Sequence, residues 1–275
     1  MGLSFDQKPN YRIEDLLRIM KLLRGEDGCP WDREQTHQSI RNNLIEEAYE
    51  VVEAIDMDSP EMLKEELGDL LLQVVFHSRM SEEAGHFCFD DVADGICKKL
   101  ILRHPHIFGE VSVRDSEEVL DNWEEIKKRE KGQKTATDAV KSVPRVFPAL
   151  MRSQKVQKRA AKTGFDYPNV EMALEDLCEE LDELRQAIAA GDKPGCEEEL
   201  GDLLFSVVNV ARLIGVDAEE SLVRSCDKFI SRFEAVEGMA RKRGVDLRRE
   251  SIEAMNALWD EAKALPNNKN KVEGF

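Results

Sequence analysis

The sequence has few of the features that mark secreted, membrane-spanning or disulfide-bonded proteins. Aromatic residues make up only 6% of the 275 positions. The longest uncharged stretches, at 70–78 and 203–211, are far too short to span a bilayer. The six cysteines form no C-x-x-C pair, which favours reduced thiols over a disulfide framework. No apolar segment typical of a signal peptide follows Met1. We therefore expect a soluble, cytoplasmic protein that binds no membrane.

Positive charge is also scarce, since 56 acidic residues face 39 basic ones and the formal net charge is -17. A protein that binds a nucleic-acid polymer needs a basic stripe along its surface, so we expect no stable binding of this kind. A small anion remains a possible ligand, because metal ions and a few lysines or arginines can reverse the field locally.

Strand signals are nearly absent, and apolar residues recur at helical spacing. Leu44, Ala48 and Ile55 illustrate the period in one segment, and Leu63, Leu67 and Leu70 illustrate it in the next. The sequence therefore predicts an all-α fold. The predicted helices cover roughly 11–24, 38–57, 60–84, 89–103, 116–130, 145–162, 169–190, 194–214, 218–242 and 249–264.

A pattern of four carboxylates occurs twice. The first copy is Glu47, Glu50, Glu66 and Asp69, and the second is Glu180, Glu183, Glu199 and Asp202. Helical residues three or four positions apart share a face, so each antiparallel helix pair would bring four carboxylates together. The repeat has the size of a domain and predicts two tandem domains, at 1–130 and 143–275. A polar linker at 131–142 joins them, and a disordered tail starts at about 266.

Each carboxylate cluster is either a solvated acidic face or a cation site. Repulsion between facing carboxylates favours a cation, and so does the repeated glycine at Gly68 and Gly201. A helical glycine costs roughly 1 kcal/mol relative to alanine, which suggests that something approaches the backbone closely there. Oxygen ligands favour Mg²⁺, or Mn²⁺ as a substitute, over zinc. A metal-bound water beside a carboxylate base would be a nucleophile for phosphorus.

Several motifs in order resemble the MazG family of nucleoside triphosphate pyrophosphohydrolases. They are CPWDREQTH at 29–37, both E-E-x-x-E clusters with their E-L-G-D-L-L segments, RHPHIFG at 103–109, KTGFD at 162–166 and the segment around Trp259. The resemblance implies two MazG-like helical bundles that hydrolyse nucleoside triphosphates between the α and β phosphates. It assigns both carboxylate quartets as Mg²⁺ ligands. Glu179 and Glu46 precede the quartets by one residue, and we expect them to hold the attacking water or a second metal.

Basic and aromatic residues downstream of the quartets are candidates for binding the nucleotide. Taken alone, the i,i+4 pairs are typical of solvated helix faces, and a late tryptophan is typical of a core. The resemblance favours triphosphate contacts for the pairs and base contacts for the tryptophans. The second hairpin turn adds one lysine near its quartet. The candidates are Lys228, Arg232, Lys99, Arg103, Lys193, Trp259 and Trp123.

Two alternatives to a pair of active pyrophosphohydrolase domains are a di-iron bundle and a first half without catalytic activity. A di-iron bundle needs Glu-x-x-His pairs, and the spacing from Glu83 to His86 has no counterpart in the second half. The first half remains open as a sensor or dimerisation domain without turnover, and we expect the second half to carry most of the activity. Because two long helices cover their apolar stripe poorly, we expect a homodimer to complete the bundle.

Overall fold

The computed structural model describes residues 5–130, 132 and 135–265, and every regular element in these ranges is a helix. The all-α prediction is confirmed. The chain divides into two compact units, Met1–Lys127 (unit 1) and Lys128–Phe275 (unit 2). The helices that begin in unit 1 are α1 (Ile13–Leu23), α2 (Pro30–Glu34), α3 (Arg41–Asp56), α4 (Pro60–Glu83), α5 (Phe89–Arg103), α6 (Pro105–Phe108) and α7 (Ser116–Glu130). Those of unit 2 are α8 (Ala136–Lys141), α9 (Ala149–Ala161), α10 (Val170–Ala190), α11 (Lys193–Leu213), α12 (Ala218–Arg243) and α13 (Ile252–Ala264).

The ten predicted helices are all present, and their ends differ from the expected ones mainly at prolines and caps. Helix α9 begins four residues later than predicted because Pro148 takes the N-cap position, and a proline disfavours helical backbone in the residue before it. Helix α13 begins at Ile252 because the Ser251 hydroxyl accepts a hydrogen bond from the Ala254 amide at 3.2 Å.

Three short helices, α2, α6 and α8, are absent from the prediction because each is too short to show an apolar period. Helix α8 lies inside 131–142, the segment that the sequence predicts as a polar linker. A capping box at Thr135 starts this helix, and Arg159 of α9 donates to the Ala139 carbonyl at 2.5 Å. The domain bounds remain a prediction, and the tail from 266 lies outside the described residues.

A long helical hairpin dominates each unit. In unit 1 α3 packs against α4, and Ser59 caps α4 by accepting from the Met62 amide at 3.3 Å. In unit 2 α10 packs against α11, and Gly191 ends α10 with a φ of 68°. That left-handed conformation favours glycine, and it allows the chain to reverse within two residues. Both hairpins thus bring the two carboxylate segments of one copy side by side.

The described core is small, and in unit 1 it includes residues of the hairpin helix α4. In unit 1 it comprises Met20, Ile40, Val75, Phe76 and Met80, and in unit 2 helices α12 and α13 pack around Val236, Ala240, Leu258 and Ala262. Other apolar residues on both hairpins stay exposed, including Leu67 and Leu200, each at 49%. The chain exposes 20543 Å², whereas two folded monomeric units of this total mass would expose about 14,500 Å². None of the described helices combines the length and apolar character that crossing a bilayer requires.

Candidate functional site

The unit 1 hairpin brings three of its predicted carboxylates together. Glu47 lies on α3, while Glu66 and Asp69 lie one turn apart on α4, and one oxygen from each lies within 4.8 Å of the others. All three side chains are partly buried. The fourth predicted member, Glu50, lies one turn of α3 from Glu47 and adds its negative charge beside the triad. The predicted quartet is therefore a triad with a fourth carboxyl beside it.

Unit 2 repeats this arrangement. Glu180 of α10 meets Glu199 and Asp202 of α11, again with one oxygen from each inside 4.8 Å. Glu183 lies one turn of α10 from Glu180 and adds its negative charge beside Glu199. Two hairpins that differ in turn length and in most of their residues thus build the same carboxylate cluster.

Burial and mutual repulsion raise the pKa values of the carboxyl groups in both clusters. Burial is the largest cause of the raised pKa of Glu180, and the negative charges of Asp202, Asp176, Glu183 and Glu199 follow. The pKa of Glu199 is raised by burial and then by the charge of Glu183. The pKa values of Glu47 and Glu66 are raised as well, with burial again as the first cause. A bound cation would relieve this repulsion, as protonation does.

The two triads fit a hard divalent cation. Mg²⁺ takes oxygen ligands at about 2.1 Å in octahedral geometry, so ligands on opposite sides of the ion lie about 4.2 Å apart. Oxygens that all lie within 4.8 Å of one another need little movement to reach such positions. Three carboxylate ligands also leave coordination positions open for waters and for phosphate oxygens.

Four of the seven predicted substrate-binding residues have unneutralised charges. Lys99, Lys193 and Lys228 are exposed and Arg232 is partly buried. None of the four makes an ion pair with another described residue. Their charges are therefore available to an anion.

The other three predicted substrate-binding residues have aromatic contacts. The Arg103 guanidinium lies over the Trp123 ring at 5.7 Å, and His104 meets the same ring edge-on at 4.9 Å. The ring centres of Trp259 and Phe229 lie 5.2 Å apart, and Trp259 also packs against the small core around Val236. Both tryptophans thus have structural contacts, and their role in base binding stays a prediction.

The glycines of the two E-L-G-D-L-L segments do not lie against this chain. A Cβ built on Gly68 or Gly201 meets no atom of the described structure within 4 Å. The expected close approach to the backbone is therefore not made by the described residues of the same chain. The physical reason is that this face of α4 and α11 is uncovered, as the half-exposed Leu67 and Leu200 beside the glycines show.

Two polar contacts that sequence reasoning missed lie beside the triads. In unit 2 the Ser206 hydroxyl donates to Asp176 Oδ2 at 2.9 Å, and Asp176 lies one turn before Glu180. In unit 1 the Gln73 amide donates to Glu47 Oε1 at 3.3 Å. The spacing of Asp176 from Glu180 was a visible signal, whereas its pairing with a residue 30 positions away was not. Glu46 and Glu179 are exposed beside the triads.

The fold and the site together define a class: a helical protein with duplicated hairpins, each carrying a carboxylate cluster suited to a divalent cation. Comparison with known proteins specifies the family. The profile of the MazG nucleotide pyrophosphohydrolase domain matches residues 35–108 and 169–237, which include both triads. The chain belongs to the MazG family, whose pyrophosphohydrolases are hydrolases acting on acid anhydrides.

Curated relatives cover nearly the whole chain. It is 44% identical over 257 residues to the nucleoside triphosphate pyrophosphohydrolase of Escherichia coli K12, an alignment that covers 92% of this chain and 97% of that protein. It is 44% identical over 251 residues to the Thermotoga maritima nucleoside triphosphate pyrophosphohydrolase/pyrophosphatase MazG, covering 91% and 95% of the two chains. A Bacillus subtilis protein, YabN, is 46% identical over 246 residues, which is 89% of this chain and half of that protein.

Proposed function

We propose that this chain hydrolyses nucleoside triphosphates between the α and β phosphates, releasing a nucleoside monophosphate and pyrophosphate with the aid of Mg²⁺. The observation that carries the proposal is the pair of carboxylate triads, each with its oxygens within 4.8 Å, in a chain whose family acts on nucleotides. Such clusters repel without a cation, and a triphosphate is a substrate that commonly brings Mg²⁺ with it.

The residues of the second half have distinct roles in this proposal. Glu180, Glu199 and Asp202 would hold the ion, and Glu183 adds a further negative charge beside Glu199. Mg²⁺ held by these residues would supply positive charge that activates water and offsets the charge of the phosphates. Glu179, exposed one residue before Glu180, accepts a proton from the attacking water. Lys228 and Arg232 attract the triphosphate, because neither forms an ion pair with an acidic side chain in the described part of the chain.

We assign most of the turnover to unit 2. Its hairpin turn places the unpaired Lys193 at the start of α11, whereas the corresponding turn of unit 1 ends in Ser59 and Pro60 without a cation. In unit 1 the Gln73 amide donates a hydrogen bond to one carboxylate oxygen of Glu47. This contact favours a second role for unit 1, in which it binds the metal and the nucleotide without rapid turnover.

We also propose that two copies of the chain form a homodimer. The exposed surface of one chain exceeds that of two folded monomeric units by about 6,000 Å². Half-exposed leucines on both hairpins supply the apolar part of this surface. A second copy would also explain the open space above Gly68 and Gly201.

The experiment that tests the assignment blocks one triad at a time in the full chain. Glu180→Gln with Asp202→Asn blocks unit 2, and Glu47→Gln with Asp69→Asn blocks unit 1. We expect Mg²⁺-dependent release of pyrophosphate to fall more than about a hundredfold in the first variant and less than about threefold in the second. The opposite order of losses would show that unit 1 is the main catalytic half.

A further inference from the structure

We propose that His37 and His77 form a pH-sensitive latch in unit 1, which holds the segment 36–40 and the start of α3 against α4 at neutral pH and releases them at mildly acidic pH. The latch requires neither metal nor nucleotide, so it is independent of the proposed reaction. It belongs to unit 1 alone, because unit 2 has no histidine at the corresponding positions.

The two imidazole rings are in direct contact. His37 lies in the turn before α3, and the partly buried His77 lies on α4. Their Nδ1 atoms lie 2.8 Å apart, and their ring centres lie 5.1 Å apart with an angle of 5° between the ring planes. Nitrogen atoms at this distance share a hydrogen bond, in which one nitrogen carries the proton and the other presents its lone pair. At least one of the two rings is therefore neutral.

The surroundings of the two Nε2 atoms differ. Nε2 of His37 lies 3.4 Å from Oγ of Ser81, a residue that is only 2% exposed. Nε2 of His77 is buried and has no hydrogen-bond partner among the described residues. One arrangement of two protons leaves no buried N–H without an acceptor. In it His77 donates from Nδ1 to His37, and His37 donates from Nε2 to the Ser81 hydroxyl.

A third proton has no favourable position in this pair. If both Nδ1 atoms carried protons, two N–H groups would face each other across 2.8 Å. Every other arrangement places a proton on Nε2 of His77, which is buried away from any described acceptor. A buried, positively charged imidazole without a partner is costly. The closed latch therefore excludes a proton that the two histidines would bind if they were exposed to water.

The charges around the pair do not compensate for this cost. Burial is the first cause of the lowered pKa of His77, and the charge of His37 is the second. On α4 the side chains one turn before and one turn after His77 are Gln73 and Ser81, and neither ionises. Arg24 of α1 pairs with Glu83 at 2.8 Å. Charged residues on the elements that flank the pair also include Asp32 and Arg33 on α2, Arg41 and Glu47 on α3, Arg79 and Glu82 on α4, and Asp91 on α5.

The stability of the closed latch therefore falls as the pH falls. Because the pKa of His77 is lowered in the closed form, the open form binds more protons below the ordinary histidine pKa of about 6.5. The contribution of the latch is thus complete above that pH and is lost below it. At pH 5.5 an exposed histidine is charged about ten times more often than it is neutral, so opening becomes about tenfold more favourable than at pH 7.5.

Unit 2 provides a reference within the same chain. The two carboxylate patterns are 133 positions apart (47 to 180, and 69 to 202), and the same step leads from His37 to Val170 and from His77 to Val210. Valine does not titrate, so the start of α10 has no corresponding response to pH. Any general effect of acid on the hairpins would act on both units.

Hydrogen exchange of the full chain at pH 5.5 and 7.5 tests the latch, with mass spectrometry of peptides and correction for the intrinsic pH dependence of exchange. We expect the protection of amides in 37–45 to fall about tenfold at pH 5.5. The protection of amides in 170–178 should change less than about twofold, because no group there changes its charge. Equal changes in the two segments, or no change in either, would overturn the inference.

Matched asparagine variants identify the group that responds. The amide of asparagine lies near the position of imidazole Nδ1, does not ionise, and can turn either its donor or its acceptor to His37. His77→Asn should therefore keep wild-type protection of 37–45 at pH 7.5 and lose the change at pH 5.5. The control is His86→Asn, at an exposed histidine of the same unit, which should keep the whole change. A tenfold change that persists in His77→Asn would overturn the inference.

NMR of wild type labelled with ¹⁵N-histidine gives a readout that does not depend on how well a variant folds. We expect His77 to carry its proton on Nδ1 at pH 7.5, and both rings to become fully protonated over the pH range in which the protection of 37–45 falls. Full protonation of both rings with undiminished protection would overturn the latch, and so would loss of protection while both rings stay neutral.

Discussion

Replacing Glu180 by glutamine should make the metal-free protein more stable and the metal-loaded protein less stable than wild type. Glutamine keeps the volume of the side chain and removes its charge, which lies within 4.8 Å of two other carboxylates. Two unit charges at that distance repel by about 1 kcal/mol in water. Because the side chains are partly hydrated, we take this value as the whole increase in the free energy of unfolding that the substitution causes. A gain of about 1 kcal/mol raises Tm by about 3 °C in a unit of this size.

In the presence of Mg²⁺, wild type should be more stable than the Glu180→Gln variant. A ligand present at a hundred times its Kd stabilises the folded state by about 2.7 kcal/mol. Wild type gains this amount in unit 2, whereas Glu180→Gln lacks one of the three ligands and gains little there. Because the unit 1 triad is intact in both proteins, the difference between them isolates unit 2.

Scanning calorimetry in chelator and in excess Mg²⁺ measures both effects on the same samples. Asp182→Asn is the control, since it removes an exposed charge from the same helix and leaves the triad complete. Its Tm should follow wild type in both buffers. The reasoning is refuted if Glu180→Gln is the less stable protein in chelator, or if it gains as much from Mg²⁺ as wild type.

Three further predictions follow from the same contacts. The stabilisation by Glu180→Gln in chelator should be absent below about pH 4 and grow towards neutral pH. The reason is that the pKa of Glu180 in the folded protein is raised above 4.5, so its carboxyl group repels its neighbours only when it ionises at higher pH. Urea titrations in which the free energies of unfolding of the variant and wild type differ by the same amount at every pH would contradict this. Lys228→Ala should raise the KM for ATP about tenfold in steady-state assays, whereas Lys263→Ala, whose lysine is already paired with Asp260 at 2.9 Å, should not. Leu204→Glu should halve the mass measured by light scattering if the exposed leucine face joins two copies, and Val146→Glu, at a residue 71% exposed outside the helices, should leave the mass unchanged.

Much of the fold follows from local signals in the sequence. Ser59-Pro60 and Gly191 mark the hairpin turns, and the apolar period between them fixes the long helices. Pro148 delayed the start of α9 because one proline can override several residues of helical period. The six-residue α8 depends on its cap at Thr135 and on a contact from Arg159, and neither leaves an apolar period in the sequence.

In the candidate site, too, the features that depend on local spacing were predictable, whereas those that depend on tertiary contacts were not. The triads were predictable because Glu66 and Asp69 share a helix face and one short turn returns the chain to them. The bond from Ser206 to Asp176 joins two helices through residues 30 positions apart, so spacing alone did not indicate it. No described residue of this chain approaches Gly68 or Gly201, so the close approach expected at these glycines stays a prediction.

The central claim is hydrolysis between the α and β phosphates at carboxylate-bound Mg²⁺, and phosphorus NMR of the first products from ATP tests it most directly. With Mg²⁺ we expect AMP and pyrophosphate in equal amounts, and with chelator we expect neither product. The chain with Glu180→Gln and Asp202→Asn should produce almost none of either product. ADP and orthophosphate as first products, or equal turnover without a divalent cation, would contradict the account.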